Sequence, residues 1–158
     1  MKNAIFATLF FLTVQFTGSA QELEAYKYVR VPEKFEFLKE ENQYQLNALT
    51  EFLFEKYGFQ ALYKEPRPAG VTDCEVLQGN VHDDSNWFRS RLHISLTDCH
   101  GKEVFTSEIG ASSEKNYKKS YNEALREAFK SLEGFNFMSV PKEVVVDRYF
   151  LHVYAGER

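Results

Sequence analysis

A cysteine and a histidine stand side by side in the stretch TDCHGKEVFTSE, residues 97–108. The thiolate of Cys99 and the imidazole of His100 are ligands that zinc and other soft metals prefer. Asp98 and Gly101 flank this pair and are typical of a tight turn, because aspartate bonds to nearby backbone and glycine accepts a positive φ. The residue types therefore allow two interpretations: a reactive or metal-binding site, or the turn of a β-hairpin with His100 at its exposed tip.

The chain contains two cysteines, Cys74 and Cys99. An even number in an exported chain favours a disulfide, and no Cys-x-x-Cys motif of a redox site is present. An expected turn over residues 83–86 places residue 74 opposite residue 95 or 96, three or four positions short of Cys99. A disulfide needs Cα atoms within about 7 Å, so a bulge at Gly79 or a curled strand end would have to close the gap. We predict a Cys74–Cys99 disulfide, with two free thiols as the alternative.

A second group of candidate metal ligands is His82, Asp83 and Asp84, which His93 or His100 could join from a neighbouring strand. A hard-cation loop needs more oxygen ligands at defined steps, so a solvated turn is the default and no metal or other cofactor is predicted. The sequence contains no G-x-S-x-G, P-loop, G-x-G-x-x-G or H-E-x-x-H motif. No catalytic residue is predicted, and we expect a protein that is not an enzyme.

A candidate binding surface lies on the strand of residues 88–96, where Phe88 and three later apolar residues alternate with polar ones. Period two with one polar face indicates a half-buried strand. Trp87, Arg89, Arg91 and His93 then share the face away from the core. Tryptophan and arginine are residue types that anchor protein interfaces. Lysines at positions 115, 118 and 119 crowd the start of the following helix, where the helix dipole disfavours cations; a solvated charged face is the alternative there.

The amino terminus has the pattern of a secretory signal peptide. Lys2 precedes an apolar run over residues 4–16, and Gly18, Ser19 and Ala20 supply the small residues of a cleavage site. We predict a signal peptide over residues 1–20, a single α/β domain over residues 21–158, and a secreted or periplasmic location with no transmembrane segment after cleavage. The formal net charge is −4, and loss of Lys2 makes the mature chain one unit more negative. Acidity of this kind argues against nucleic acid as a partner.

Hydrophobic periodicity predicts the elements in the order β-α-β-β-β-α-β. The expected strands are residues 23–31, 59–64, 74–82, 88–96, 102–109 and 143–154. A first helix over residues 43–57 is capped by Asn42 with Gln45 in a capping-box variant, and it ends at Gly58. A second helix begins at Ser112 or Ser113 and ends at Gly134, with Tyr117 at the start of its buried face. We predict an α+β two-layer sandwich: a mixed, mostly antiparallel sheet with two helices on one face.

The segment D-x-x-G-x-x-V, here Asp98, Gly101 and Val104, is followed by Gly110 and by a helix with paired alanines, Ala124 and Ala128. With the signal peptide, this arrangement resembles small, uncharacterised secreted proteins of bacteria. More distantly it is similar to envelope α/β domains: the curli-secretion lipoprotein, the amino-terminal domain of TolB and the lipoproteins that activate penicillin-binding proteins. This resemblance covers about residues 26–132 and implies a non-enzymatic binding or assembly domain that contacts an envelope protein. No cysteine follows the cleavage point, which puts a lipid anchor in doubt. The alternative is a small-ligand or metal-binding protein, or a hydrolase, that uses the His/Asp cluster.

Overall fold

The computed structural model describes residues 22–135, which form one sheet with two main helices packed on it. The strands are β1 (Tyr28–Arg30), β2 (Gln60–Leu62), β3 (Val76–Asp83), β4 (Ser90–Thr97), β5 (Glu103–Thr106) and β6 (Gly110–Ser112). The helices are α1 (Leu46–Lys56) and α2 (Tyr117–Phe129). Short 3₁₀ turns lie at Gln43–Gln45, Asp73–Glu75 and Lys130–Leu132. None of the helices in this part of the chain is long and apolar enough to cross a membrane.

The sheet is mixed, with strand order β2-β1-β3-β4-β5 and with β6 also paired to β4. Strand β1 runs parallel to both β2 and β3. Parallel neighbours require a crossover, and α1 supplies the one between β1 and β2. The β3–β4, β4–β5 and β4–β6 pairs are antiparallel. The predicted α+β class, with a mixed and mostly antiparallel sheet, is confirmed.

Both helices cover the same face of the sheet. Leu92, Ile94 and Leu96 of β4 are fully buried on this face, whereas Arg91 and His93 alternate with them on the other. The core also contains Val29, Leu77 and Val81 from β1 and β3, and Leu53, Phe54, Leu125 and Phe129 from the helices. Since one face of β4 carries the apolar residues, its alternating pattern fixes which side the helices must cover.

Several predicted boundaries need correction. Strand β1 is shorter than residues 23–31, because residues 22–24 are helical and Leu23 is buried in the core. Strand β6 lies where a loop over residues 110–113 was predicted. Three residues are too short to show a period-two pattern, so β6 is defined only by its pairing with β4.

The helix starts also differ from expectation. Helix α2 is capped by Asn116, whose side chain accepts a hydrogen bond from Lys119 N, and not by Ser112 or Ser113. Helix α1 begins at Leu46, and the predicted Asn42–Gln45 capping box does not form. The Asn42 side chain instead accepts a hydrogen bond from Ala48 N at 3.1 Å. The predicted strand over residues 143–154 lies outside the described residues.

Candidate functional site

The β3–β4 hairpin reaches further than its ladder of paired strand residues. Beyond the last ladder pair, Asp84 N donates to Arg91 O at 2.8 Å and Asn86 N donates to Arg89 O at 3.0 Å. The turn is therefore centred on Trp87 and Phe88, and not on residues 83–86 as predicted. The polar residues before Trp87 belong to the hairpin arm, since backbone pairing continues through them.

Side-chain hydrogen bonds hold this hairpin tip, which we define as Asn86–Arg89. The Asn86 side chain accepts from Phe88 N at 3.0 Å and from Arg89 N at 3.1 Å. Ser85 Oγ accepts from Arg91 N at 3.0 Å. Asparagine and serine here satisfy the turn backbone in the way expected of short polar side chains. The backbone that presents Trp87 and Phe88 is thus fixed by several bonds.

Both aromatic residues of the hairpin tip face solvent. Trp87 is 99% exposed and Phe88 is 87% exposed. The prediction that Phe88 belongs to the buried face of the strand is wrong, because β4 begins only at Ser90. The predicted exposure of Trp87 agrees with the structure. Arg91 and His93 lie on the open face of β4, and Arg89 lies in the turn beside them.

Two clefts flank the hairpin tip. One, of about 550 Å³, separates the tip from the start of α2 and is lined by Trp87, Phe88, Lys115 and Tyr117 among others. The other, of about 520 Å³, lies on the opposite side and includes Phe88 and Ile109. Of the five large exposed hydrophobic residues in the described part of the chain, four line these clefts. Such clustering distinguishes a patch from the scattered apolar residues that any surface carries.

The charges around the hairpin tip are unevenly used. Arg89, Arg91 and Lys115 line the clefts and make no ion pair with another described residue. The nearby carboxylates are engaged internally. Glu114 accepts hydrogen bonds from Lys115 N and Asn116 N, and these bonds hold the pKa of its carboxyl below the usual value. The cations therefore remain available to an external partner, whereas the acids are already hydrogen-bonded within the chain.

Sequence reasoning missed Tyr117 and Ile109 as members of this surface. Tyr117 was placed on the buried face of the second helix, but it is 69% exposed. Because Asn116 caps the helix, Tyr117 is its first residue and projects beyond the edge of the sheet. The spacing to Tyr121 gave no warning of this, since periodicity does not locate the end of the surface that a helix covers.

Two histidines stack on the open face of the sheet. His82 and His93 are cross-strand partners, and their ring centroids are 4.6 Å apart. His82 Nε2 lies 2.7 Å from Ser95 Oγ, and His93 Nδ1 is bonded to Asp84. Burial lowers the pKa of His82, and the neighbouring His93 lowers it further. This arrangement favours a neutral imidazole at position 82.

The three candidate ligands His82, Asp83 and Asp84 do not converge. Successive strand residues point to opposite faces, so Asp83 lies on the helix side, where it accepts a hydrogen bond from Tyr121 OH at 2.9 Å. Burial and this bond raise the pKa of Tyr121 to about 12. Asp84 bonds to His93 instead. Among the described residues, these side chains form no group that could hold a metal ion.

Cys74 and Cys99 lie at disulfide bonding distance, with their Cα atoms 4.8 Å apart. The predicted register was the obstacle to this pairing, and it is wrong. Strand β3 pairs Gln78 with Thr97, so the residues before β3 run directly past the turn that holds Cys99. A longer hairpin shifts the register and brings the two cysteines together without a bulge at Gly79.

The turn that holds Cys99 has the predicted hairpin chemistry. The Asp98 side chain accepts from His100 N at 2.8 Å and from Lys102 N at 2.9 Å. Gly101 has φ +78°, and His100 is exposed. His100 Nδ1 also lies 3.3 Å from Cys99 Sγ. The two interpretations of the Cys-His pair are therefore compatible, since the turn places both side chains together.

Comparison with known proteins gives little guidance on function. No family model matches the chain, and no curated protein matches it. One solved structure with a related fold is the PelC dodecamer from Paraburkholderia phytofirmans, at 13% sequence identity and a TM-score of 0.44. The match covers 68% of this chain and 87% of that one. This likeness is too distant to carry a functional assignment.

Proposed function

We propose that this protein is a non-enzymatic binding or assembly domain of the cell envelope, secreted or periplasmic, that contacts a partner protein through the β3–β4 hairpin tip. The observation that carries the proposal is the nearly complete exposure of the adjacent residues Trp87 and Phe88 at the end of a hydrogen-bonded hairpin. Leaving two large aromatic side chains in water forgoes roughly 2 kcal/mol each of burial free energy. Contact with a partner would recover it.

The composition of the surface supports a protein partner. Tryptophan, tyrosine and arginine are the residues that most often dominate binding energy at protein interfaces, particularly beside a pocket. Here Trp87, Tyr117 and Arg89 line one cleft. Hydrogen bonds from Asn86 fix the backbone of the tip, so little conformational entropy would be lost on binding.

The charges favour an acidic partner surface. Arg89, Arg91 and Lys115 surround the aromatic residues without an ion pair to another described residue. The whole chain has a formal charge of −4, so the basic hairpin tip differs from the average surface. Complementary charges speed association and suppress contact with wrong partners.

Site-specific photocrosslinking in the producing cell tests the proposal. A photoreactive phenylalanine analogue at position 87 should give a discrete protein adduct, whereas the same analogue at Phe52, exposed on α1, should give none. Reversing the charges at Arg89 and Lys115 should lower the adduct yield at position 87. A smear equal at both positions, or a yield indifferent to charge reversal, would refute the proposal.

A hydrolase or small-ligand site at the His/Asp cluster is the alternative. The observation in its favour is the 2.7 Å contact between His82 Nε2 and Ser95 Oγ. Ser95, however, is only 4% exposed, so a substrate carbonyl could not reach its hydroxyl. Alanine at His82 and Asp84 discriminates between the two roles. Binding of a partner should survive both substitutions, and any ligand content or hydrolysis that they remove would favour the alternative.

A further inference from the structure

We infer that the Cys74–Cys99 pair and His100 form a redox-gated site for a soft divalent metal, closed as the disulfide and open after reduction. The two sulfurs and a ring nitrogen of His100 lie within 4.8 Å of one another, and all three residues are exposed. This site is at the opposite end of the β3–β4 hairpin from Trp87 and Phe88. It is therefore independent of the proposed partner surface.

The distances suit tetrahedral zinc or cadmium coordination. Zinc–sulfur bonds of about 2.3 Å and zinc–nitrogen bonds of about 2.0 Å place a thiolate sulfur and an imidazole nitrogen roughly 3.6 Å apart on one ion. Cys99 Sγ and His100 Nδ1 are already 3.3 Å apart. The same geometry requires about 3.8 Å between the two sulfurs, which they can reach once the covalent bond is broken. Cα atoms 4.8 Å apart leave both side chains long enough to do so.

The opening step is a two-electron reduction. A dithiol reductant gives two electrons and two protons to the disulfide, which becomes two thiols while the reductant becomes a disulfide. Binding of the cation then releases both thiol protons to solvent, because the thiolate is the ligand. Two thiolates and one neutral imidazole exactly compensate the charge of a divalent ion, and they leave a fourth position for water. Two sulfurs and one nitrogen favour soft metals over magnesium or calcium.

Each cysteine is held in its own hydrogen-bonded turn, so the ligands stay close without the S–S bond. On one side, the Asp98 side chain accepts from His100 N and Lys102 N, and Asp98 N donates to Lys102 O at 2.9 Å. On the other side, Glu75 Oε2 accepts from both Thr72 N and Thr72 Oγ1 at 2.7 Å in a capping box around Cys74. These bonds do not involve sulfur and persist on reduction.

Cadmium titration of the purified protein tests the inference, because cadmium–thiolate bonds absorb in the ultraviolet. Under anaerobic conditions the reduced protein should bind one Cd²⁺ with a new thiolate band, and the oxidised protein should show no band. Zinc should compete for the same site. His100→Ala should weaken Cd²⁺ binding about tenfold or more, whereas Lys102→Ala, which alters the same turn but removes no ligand, should leave the affinity unchanged.

Three results would overturn the inference. They are the absence of a stoichiometric band in the reduced protein, an affinity of His100→Ala within twofold of the unaltered protein, or equal binding by the Cys74→Ser, Cys99→Ser double variant. Circular dichroism covers the case in which reduction unfolds the chain. Restoration of the fold by Cd²⁺ would support the site, since metal binding is then coupled to folding. A chain that stays unfolded with Cd²⁺ would refute it.

Discussion

Gly110 lies directly against the backbone of helix α2, so that a Cβ atom at this position would overlap the carbonyl oxygen of Ala124. The same atom would meet the amide nitrogen of Ala128 and lie 3.0 Å from Glu127 Cβ. Backbone atoms cannot rotate away as a flexible side chain can. The glycine and the two alanines therefore let β6 and α2 approach closely, which explains physically why they occur together in the sequence.

Gly110→Ala should destabilise the protein by about 3 kcal/mol, as expected for overpacking against an element that must move as a whole. Urea denaturation measures the change. Gly101→Ala is the matched control, because Gly101 has φ +78° but open space around its Cα. This control should cost about 1 kcal/mol for the left-handed backbone alone. Equal losses for the two substitutions would mean that α2 yields, contrary to the close packing described.

The fold class could be predicted from the sequence because the long elements carry strong periodic signals. The β4 residues Leu92, Ile94 and Leu96 alternate with polar residues, and the buried face of α2 repeats at helical spacing through Leu125 and Ala128. Gly58, with φ 101°, ends α1 as predicted. These features are local, so each can be recognised without knowing what it packs against.

The candidate site could be predicted only in part, because it depends on the register of the hairpin. The residues Asp83–Asn86 have strong turn preferences, yet they pair with β4 and the turn falls on Trp87 and Phe88. A shift of turn centre moved Phe88 from the core to solvent and brought Cys74 to Cys99. Turn propensity is weaker than the sum of the cross-strand contacts that fix the register.

The Cys74–Cys99 disulfide should stabilise the fold mainly by restricting the unfolded chain. For a sequence separation of 25 residues, the chain-entropy relation gives about 3.5 kcal/mol. Denaturation with and without a reductant should show a loss of that order. The Cys74→Ala, Cys99→Ala double variant should be equally destabilised and indifferent to reductant. A reductant-sensitive double variant would show that the effect does not come from this bond.

His82 should make the protein less stable as the pH falls below about 6.5, the ordinary histidine value. Burial and the adjacent His93 depress the pKa of His82 in the folded state, so the unfolded chain binds the proton more tightly. The stabilising contribution is present above the unfolded pKa and is lost as the pH falls towards the lower folded value.

Denaturation midpoints between pH 8 and pH 5 measure this effect. His82→Gln should flatten the decrease, because glutamine can bond to Ser95 Oγ but does not titrate. The carboxyls of Glu75, Asp98 and Glu114, whose pKa values are also lowered, act only at more acidic pH. A decrease in stability that His82→Gln leaves unchanged would assign the effect to another group.

Trp87 and Phe88 should contribute almost nothing to stability, in contrast to a core aromatic residue such as Phe54. Truncating both to alanine removes side chains that are already in water, so the free energy of unfolding should change by no more than about 0.5 kcal/mol. Phe54→Ala, at a fully buried position, should cost about 4 kcal/mol.

Because Trp87 is the only tryptophan in the chain, its fluorescence provides a second check that needs no substitution. The emission maximum of the folded protein should match that of the urea-unfolded chain, and acrylamide should quench both equally. A blue-shifted folded spectrum at low protein concentration would show that Trp87 is covered within the chain itself. The hairpin tip would then be an internal packing element, and the partner surface would have to lie elsewhere.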